Sequence, residues 1–234
     1  MSQPKNSPDS TDRSALLVGA TGLVGGELLK LLLGDPHYRR VHTAGRRAPA
    51  INHSKLNAHV VDMANPRQLA ALPQVDDVYC ALGTTIKVAG SQAAFKAIDL
   101  DAVVAVAKAA IQANKSARLG VVSAMGADAT SSVFYNRIKG EMETAVAQLG
   151  FESVSIARPS MLAGDRDSLK QATRLGEQIG LKLMTAVSFL IPANYQAIEA
   201  ADVANALHRM VTEGRTGARI AMSGELRSLA HAAS

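Results

Sequence analysis

The sequence predicts an α/β fold, a parallel doubly wound sheet with helices on both faces. Three observations carry that expectation. A short apolar run, Ala15–Val18, ends in a glycine-rich turn, and that turn opens a segment with helical spacing. The pattern of apolar run, turn and helix then repeats until Arg158. The apolar runs do not alternate with polar residues, as befits strands covered on both faces, and right-handed crossovers wind such strands into a doubly wound sheet. With its glycine turn this is a Rossmann-type fold, in which ligands sit beyond the carboxyl ends of the strands.

The elements follow in order. After the first strand, Leu23–Leu33 has helical spacing, with Gly34 as its expected C-terminal glycine. Val41–Ala44 and His59–Val61 read as the second and third strands. Asn65-Pro66 offers a cap and a first-turn proline for a short helix. Val78–Leu82 is the fourth strand, and Ser91 caps an alanine-rich helical tract from Gln92 to Asn114. Leu119–Ser123 is the fifth strand. A helix starting at Ser131 or Ser132 runs to Leu149 and closes at Gly150. Ser153–Ala157 is the sixth strand, ending in Arg158-Pro159. Beyond it the alternation weakens: a broken helix over Ser168–Leu190, a helix over Asp202–Val211 and a last strand over Arg219–Met222. Residues 1–14 are polar and read as a disordered tail. Residues 15–234 then form one nucleotide-binding domain, in which 159–234 contributes a small substrate lobe.

Composition narrows the function. The chain has 234 residues, 47% of them hydrophobic and 19% charged, as in an ordinary globular domain. No uncharged apolar run approaches the ~18–20 residues of a membrane span, so no membrane partner is expected. The first residues lack an apolar signal core, and the single cysteine, Cys80, allows no internal disulfide. Both point to a cytoplasmic protein. The net charge of +5 is dispersed, and with no Trp, four Tyr and four Phe there is little to stack bases on. Nucleic acid is not expected as a partner; an anionic small molecule suits the positive charge better.

The turn Gly19-Ala20-Thr21-Gly22-Leu23-Val24-Gly25 has the spacing of a dinucleotide-binding loop. Its glycines let backbone N–H groups approach a pyrophosphate, which then faces the positive end of the helix macrodipole. The second strand ends in Arg46-Arg47, where an enzyme preferring NAD carries a carboxylate for the ribose 2′-hydroxyl. Guanidinium groups match a 2′-phosphate in charge and geometry, so NADP(H) is the expected cofactor over NAD(H). Asp62 and Met63 follow the third strand, where Asp62 either meets the adenine or caps the turn beside Asn65.

Ser123 ends the fifth strand, and Tyr135 and Lys139 share one face of the next helix. A phenol near pKa ~10 is a poor acid–base group at neutral pH, and a neighbouring ammonium lowers that value. The lysine also suits the nicotinamide ribose. The serine hydroxyl suits a substrate carbonyl. Together they can move a proton while nicotinamide carries a hydride. The six histidines show no metal-ligand spacing, so no metal is expected. Cys80 reads as an inert core thiol. Met161 and Leu162 either touch substrate or pack.

These motifs make the chain recognisable. It resembles the atypical short-chain dehydrogenase/reductases, and within them the Tat-interacting-protein oxidoreductase family and its bacterial relatives. The resemblance rests on Val18–Gly25, on Cys80–Thr85 with Lys87 and Ala89–Ser91, on Val122–Asp128, on Tyr135–Glu141, and on Arg158–Leu162. It implies Ser123, Tyr135 and Lys139 as the catalytic set. It also implies Leu82, Gly83 and Thr84 along the cofactor and Pro159 beside the nicotinamide carboxamide. The chain after Arg158 is short for a nucleotide-sugar enzyme. That leaves an NADP(H)-dependent reductase of a small carbonyl substrate, or a non-catalytic NADP(H)-dependent sensor or scaffold with a protein partner.

Overall fold

The computed structural model describes residues 12–163 and 192–232. Seven parallel strands form the main sheet in the order β3-β2-β1-β4-β5-β6-β9. They are β1 (Arg13–Val18), β2 (Tyr38–Gly45), β3 (Leu56–Val60), β4 (Asp77–Cys80), β5 (Arg118–Val122), β6 (Ser153–Arg158) and β9 (Gly217–Met222). The order reverses between β1 and β4, which is the switch point where a doubly wound sheet opens a ligand crevice. A separate parallel pair joins β7 (Leu162–Ala163) to β8 (Ile198–Glu199).

Alternate residues of each strand feed two cores. Ala15, Leu17 and Tyr79 face α1 (Leu23–Gly34) and the helix Ala200–Glu213, here α7. Leu16, Val18, Val78, Cys80, Leu119 and Val121 face α5 (Val103–Ala113) and α6 (Phe134–Ala147). Helix α1 buries Leu28, Leu29 and Leu32 on one stripe, and α7 buries Val203, Leu207 and Met210 on the same side of the sheet. Burying one such side chain stabilises by ~1.5–3 kcal/mol, so these two stripes dominate that layer.

The caps expected at Asn65 and Ser91 form. Asn65 accepts from the N–H groups of Arg67 and Gln68 at the start of α2 (Pro66–Ala70), and Ser91 accepts from Ala94 at the start of α4 (Gln92–Lys96). Two short elements were not expected: α3 (Ile86–Ala89), capped by Thr85, and α8 (Ser223–His231). The tract after Ser91 is also not one uniform helix. Between α4 and α5 the segment Ala97–Ala102 is π-helical.

Two boundaries differ from expectation. Arg13 and Ser14 belong to β1 rather than to a disordered tail, because the sheet floor recruits them. Arg13 pairs with Asp77, and Ser14 donates from its backbone N–H and hydroxyl to Asp76. In the stretch expected as a substrate lobe, α7 and β9 are part of the main sandwich. The β7–β8 pair is separate from the main sheet, yet Ile198 is buried in the same core as α1 and α7, with Leu162 packed against it. The helix expected over Ser168–Leu190 lies outside the described residues.

Candidate active site

The glycine turn lies where β1 meets α1. A side chain at Gly25 would overlap the Gly19 carbonyl, so α1 can start this close to β1 only with glycine there. Gly22 caps α1 and its backbone N–H, like that of Gly26, is spent inside the turn, on Gly19 and Gly22 respectively. Thr21, Gly22 and Leu23 are exposed at the mouth, while Val24 and Gly25 are buried behind it.

From this turn a cavity of about 780 Å³ runs over the ends of β2 and β3 to α5. Gly19, Thr21, Arg46, Arg47, Asp62, Met63 and Leu82 all line it. Its far wall carries Leu69, Ala102, Ala105 and Ala109, with Asp101, Lys108 and Gln112 between and beyond them. A flat apolar base fits such a wall, and the guanidinium pair sits at the polar end. Arg46 and Arg47 are exposed and enter no ion pair among the described residues. Asp62 accepts from the Ala64 N–H, and the Asp62 N–H donates to Gln68, which ties that turn to α2. Turn capping is therefore present at Asp62, and its carboxylate still borders the cavity. The cavity, the cations and the turn fit the adenosine half of a dinucleotide.

The second part of the site gathers at the carboxyl ends of β4, β5 and β6. Ser123 follows β5 and is 5% exposed, and its Oγ is buried without a hydrogen-bond partner. A buried hydroxyl left unpaired costs ~1–3 kcal/mol, so the atom is positioned for a partner that arrives from outside. Its backbone N–H donates to Ala157 at 2.8 Å, and Met125 donates to Pro159 at 2.8 Å, which holds the two loops together. Pro159 is buried beside this seam.

Tyr135 and Lys139 lie one turn apart on α6, and this helix is seated by Gly140. A side chain there would overlap the backbone of Asp128 and Ala129. Lys139 is 3% exposed, and its Nζ lies 2.7 Å from Oδ1 of Asp99, which is fully buried. The other Asp99 oxygen accepts from the Thr84 N–H at 3.0 Å. Gly83 lies against both charges. The Phe95 ring packs on Tyr135 at 5.3 Å between centroids.

The electrostatics differ from the sequence expectation. Burial holds the Tyr135 phenol above its usual value; Lys139 pulls it down, and Asp99 pushes it back up. The lysine is present as expected, but a carboxylate offsets it. Burial also raises Asp99, against the opposing pull of Lys139 and the Thr84 N–H. The Cys80 thiol, inside β4, is pushed up to about 11 by burial, which keeps it an inert neutral group. Asp99 is the residue that sequence reading missed. The signal was an acid flanked by two apolar residues, Ile98-Asp99-Leu100, where an unpaired charge would be costly if buried.

No group of His, Cys, Asp and Glu among the described residues is arranged to hold a metal. No helix among them is long and apolar enough to cross a membrane.

Comparison with known proteins agrees with this geometry. An NAD(P)H-binding family model matches residues 19–213. The protein HTATIP2 of Rattus norvegicus is 32% identical over 207 residues, which is 87% of this chain and 83% of that protein. Mitochondrial protein FMP52 of Candida albicans is 35% identical over 171 residues, covering 71% of this chain and 73% of its own. An actinorhodin polyketide ketoreductase solved with NADPH superposes with a TM-score of 0.66 at 14% identity, covering 97% of this chain and all of that one, and so shares the fold. The chain belongs to the NAD(P)H-binding family of atypical short-chain dehydrogenase/reductases, with HTATIP2 and Fmp52 among its relatives.

Proposed function

We propose that the protein is an NADP(H)-dependent reductase of a small carbonyl compound, with Ser123, Tyr135 and Lys139 as its reacting set. The observation that carries this reading is the buried, unpartnered hydroxyl of Ser123 at the carboxyl end of β5. A structural serine in that place would bond to the backbone; an unpaired one suits a substrate oxygen. NADP(H) rather than NAD(H) is supported by Arg46 and Arg47 on the cavity rim with no carboxylate beside them at the end of β2.

When bound, the reduced nicotinamide supplies a hydride to the carbonyl carbon. The Ser123 hydroxyl donates to the carbonyl oxygen and orients it. The Tyr135 phenol gives its proton to that oxygen. The Lys139 ammonium would hold a ribose hydroxyl of the cofactor and would steady the phenolate left behind. Gly19 to Val24 would hold the pyrophosphate, and Leu82 to Thr84 and Pro159 would border the rest of the cofactor. The partner is a small molecule. A cytoplasmic site of action belongs to the same reading, supported by the lone buried thiol of Cys80; the mitochondrial designation of the Fmp52 relatives is the competing placement.

The test is consumption of NADPH, and separately of NADH, over a panel of aldehydes, ketones and quinones. Turnover of one class with NADPH preferred supports the reading. Cofactor binding without turnover on any class rejects it in favour of a cofactor-dependent regulator.

A further inference from the structure

The loops that surround the reacting set share one property. Among the described residues, eight large apolar side chains are exposed. Ile51 and Val60 lie before and on β3, and Ile220 lies on β9, the two edge strands. Single apolar side chains in such places are ordinary. The other five gather at the carboxyl ends of the inner strands. Leu23 follows β1, Val88 lies on α3 after β4, Val133 stands between β5 and α6, and Met161 follows β6. Tyr195, in the turn Ala193–Tyr195, is brought to the same end by its neighbours: the Ser160 hydroxyl donates to the Gln196 carbonyl at 2.5 Å, and the Ile198 N–H donates to the Met161 carbonyl at 2.9 Å.

A gathered set of exposed apolar groups marks a place of contact. What makes contact here is indicated by Ser123, whose buried Oγ lies at the carboxyl end of β5 with no partner. The arriving group therefore carries a hydrogen-bonding atom, and the rest of it meets the apolar side chains. Val133 is two positions from Tyr135, and Met161 is two positions from Pro159, so these contacts begin beside the reacting set.

The fixed charges of the same loops are already engaged. Asp128 accepts from the Thr130 N–H and hydroxyl, Arg137 donates to the Ser131 carbonyl, and Arg158 is held by two-point contact with Glu143. Lys87, beside Val88, is exposed and enters no ion pair among the described residues. The five apolar side chains offer a single hydrogen-bonding group, the Tyr195 hydroxyl. A polyhydroxylated substrate gives up its water only for fixed donors and acceptors. A hydrocarbon gains by leaving water.

We propose that the substrate is a lipophilic carbonyl compound: its C=O meets Ser123 and Tyr135, and its hydrocarbon body lies on Val88, Val133, Met161 and Tyr195. This rests on the reading of the protein as a carbonyl reductase, and it adds the class of substrate.

The test starts from unreactive probes. Primary alcohols from hexanol to decanol are titrated by calorimetry into the NADPH-loaded protein, in which the cavity over β2 and β3 is filled and the reduced cofactor cannot oxidise an alcohol. Affinity is expected to rise about 2- to 4-fold per added methylene, the upper figure being that of full burial. Val88→Gln combined with Val133→Gln and Met161→Gln is expected to flatten the rise, and the single variants are read in the same way should the combination not fold. A wild-type series without a rise overturns the proposal. So does a rise that survives in the variants, which would seat the chain elsewhere. Sedimentation with phosphatidylcholine vesicles, or self-association lost in the variants, in place of alcohol binding would give these residues to a membrane or to a second copy, and overturns it too. Aldehydes from butanal to decanal then separate the two readings. If the alcohols bind as expected and no aldehyde is reduced, the reductase reading is lost and the lipophile site stands. If aldehydes are reduced with a kcat/KM independent of chain length, only the lipophilic body is lost.

Discussion

Arg13 and Asp77 form a two-point ion pair on the floor of the sheet, with Nε and Nη2 of the arginine each 3.0 Å from a carboxylate oxygen. Asp77 is fully buried and is held as well by Arg118, at 2.6 and 2.9 Å, and by the Tyr38 hydroxyl at 2.7 Å. The two ends of the strands are thereby divided: charges on the floor are saturated by fixed partners, whereas Ser123, Arg46 and Arg47 at the opposite ends are not.

Removing the floor contact should be costly. Arg13→Ala is expected to destabilise the fold by ~1.5–3 kcal/mol, the range for a hydrogen bond to a charged group, with Arg118 left to neutralise Asp77. Deletion of residues 2–13 is expected to lower stability comparably, contrary to the expectation for a disordered tail. Chemical denaturation of the variants against the full chain reads this directly. Unchanged midpoints would show the pair to be idle.

Arg46→Ala with Arg47→Ala should weaken NADP(H) by ~1–3 kcal/mol, about 5- to 150-fold, taking charge-assisted hydrogen bonds as the unit. NAD(H) affinity should barely move, because it lacks the 2′-phosphate. Parallel titrations of both cofactors check this; equal losses for the two would assign the arginines to the common part of the ligand instead.

Gly140→Ala should disturb the site from a distance. The added methyl meets the Asp128–Ala129 backbone, so α6 must move away from the loop that follows β5. Overpacking of this kind costs ~1–3 kcal/mol. The expected outcome is a lower melting temperature together with weaker NADPH binding, since α6 carries Lys139. A fully stable variant with native affinity would show the helix to be free to shift.

Acid should destabilise the protein partly through His208. Burial lowers its pKa from the usual 6.5, although Asp35 lies 3.0 Å away and opposes the shift. His42 is lowered too, by burial, by its neighbour His59 and by Arg40. Below about pH 6.5 the unfolded chain takes up protons that the folded one resists, so stability falls as the pH drops through that value. The melting temperature should decline between pH 7 and pH 5, and less so in His208→Gln. An equal decline in the variant would remove His208 from the account.

Much of this was legible in the sequence because it is local. The Asn65 and Ser91 caps and the close start of α1 on Gly25 each depend on residues within a few positions of one another. The second strand was expected from Val41, whereas β2 starts at Tyr38; in the sheet the Arg39 and Arg40 side chains are exposed while Tyr38 is buried. Arg13 and Ser14 look like tail residues until Asp76 and Asp77, more than sixty positions away, supply their partners. The π-helical turn leaves no mark in an alanine-rich periodicity, because its extra residue is set by packing against α6 and the turn after β4. The charge balance at Tyr135 was missed for the same reason: Lys139 is predictable from its spacing on α6, and Asp99 reaches it only through the tertiary fold.

The proposed role of Tyr135 is proton donor in an NADPH-dependent carbonyl reduction. NADPH oxidation by wild type and Tyr135→Phe on a carbonyl that the wild type reduces, with NADPH affinity measured beside it, decides that role. Phenylalanine keeps the ring and its packing on Phe95, so only the hydroxyl is lost. Turnover should fall by ~10²–10⁴-fold, the usual contribution of a general acid, with NADPH binding nearly intact. Reduction at the wild-type rate by Tyr135→Phe would contradict it.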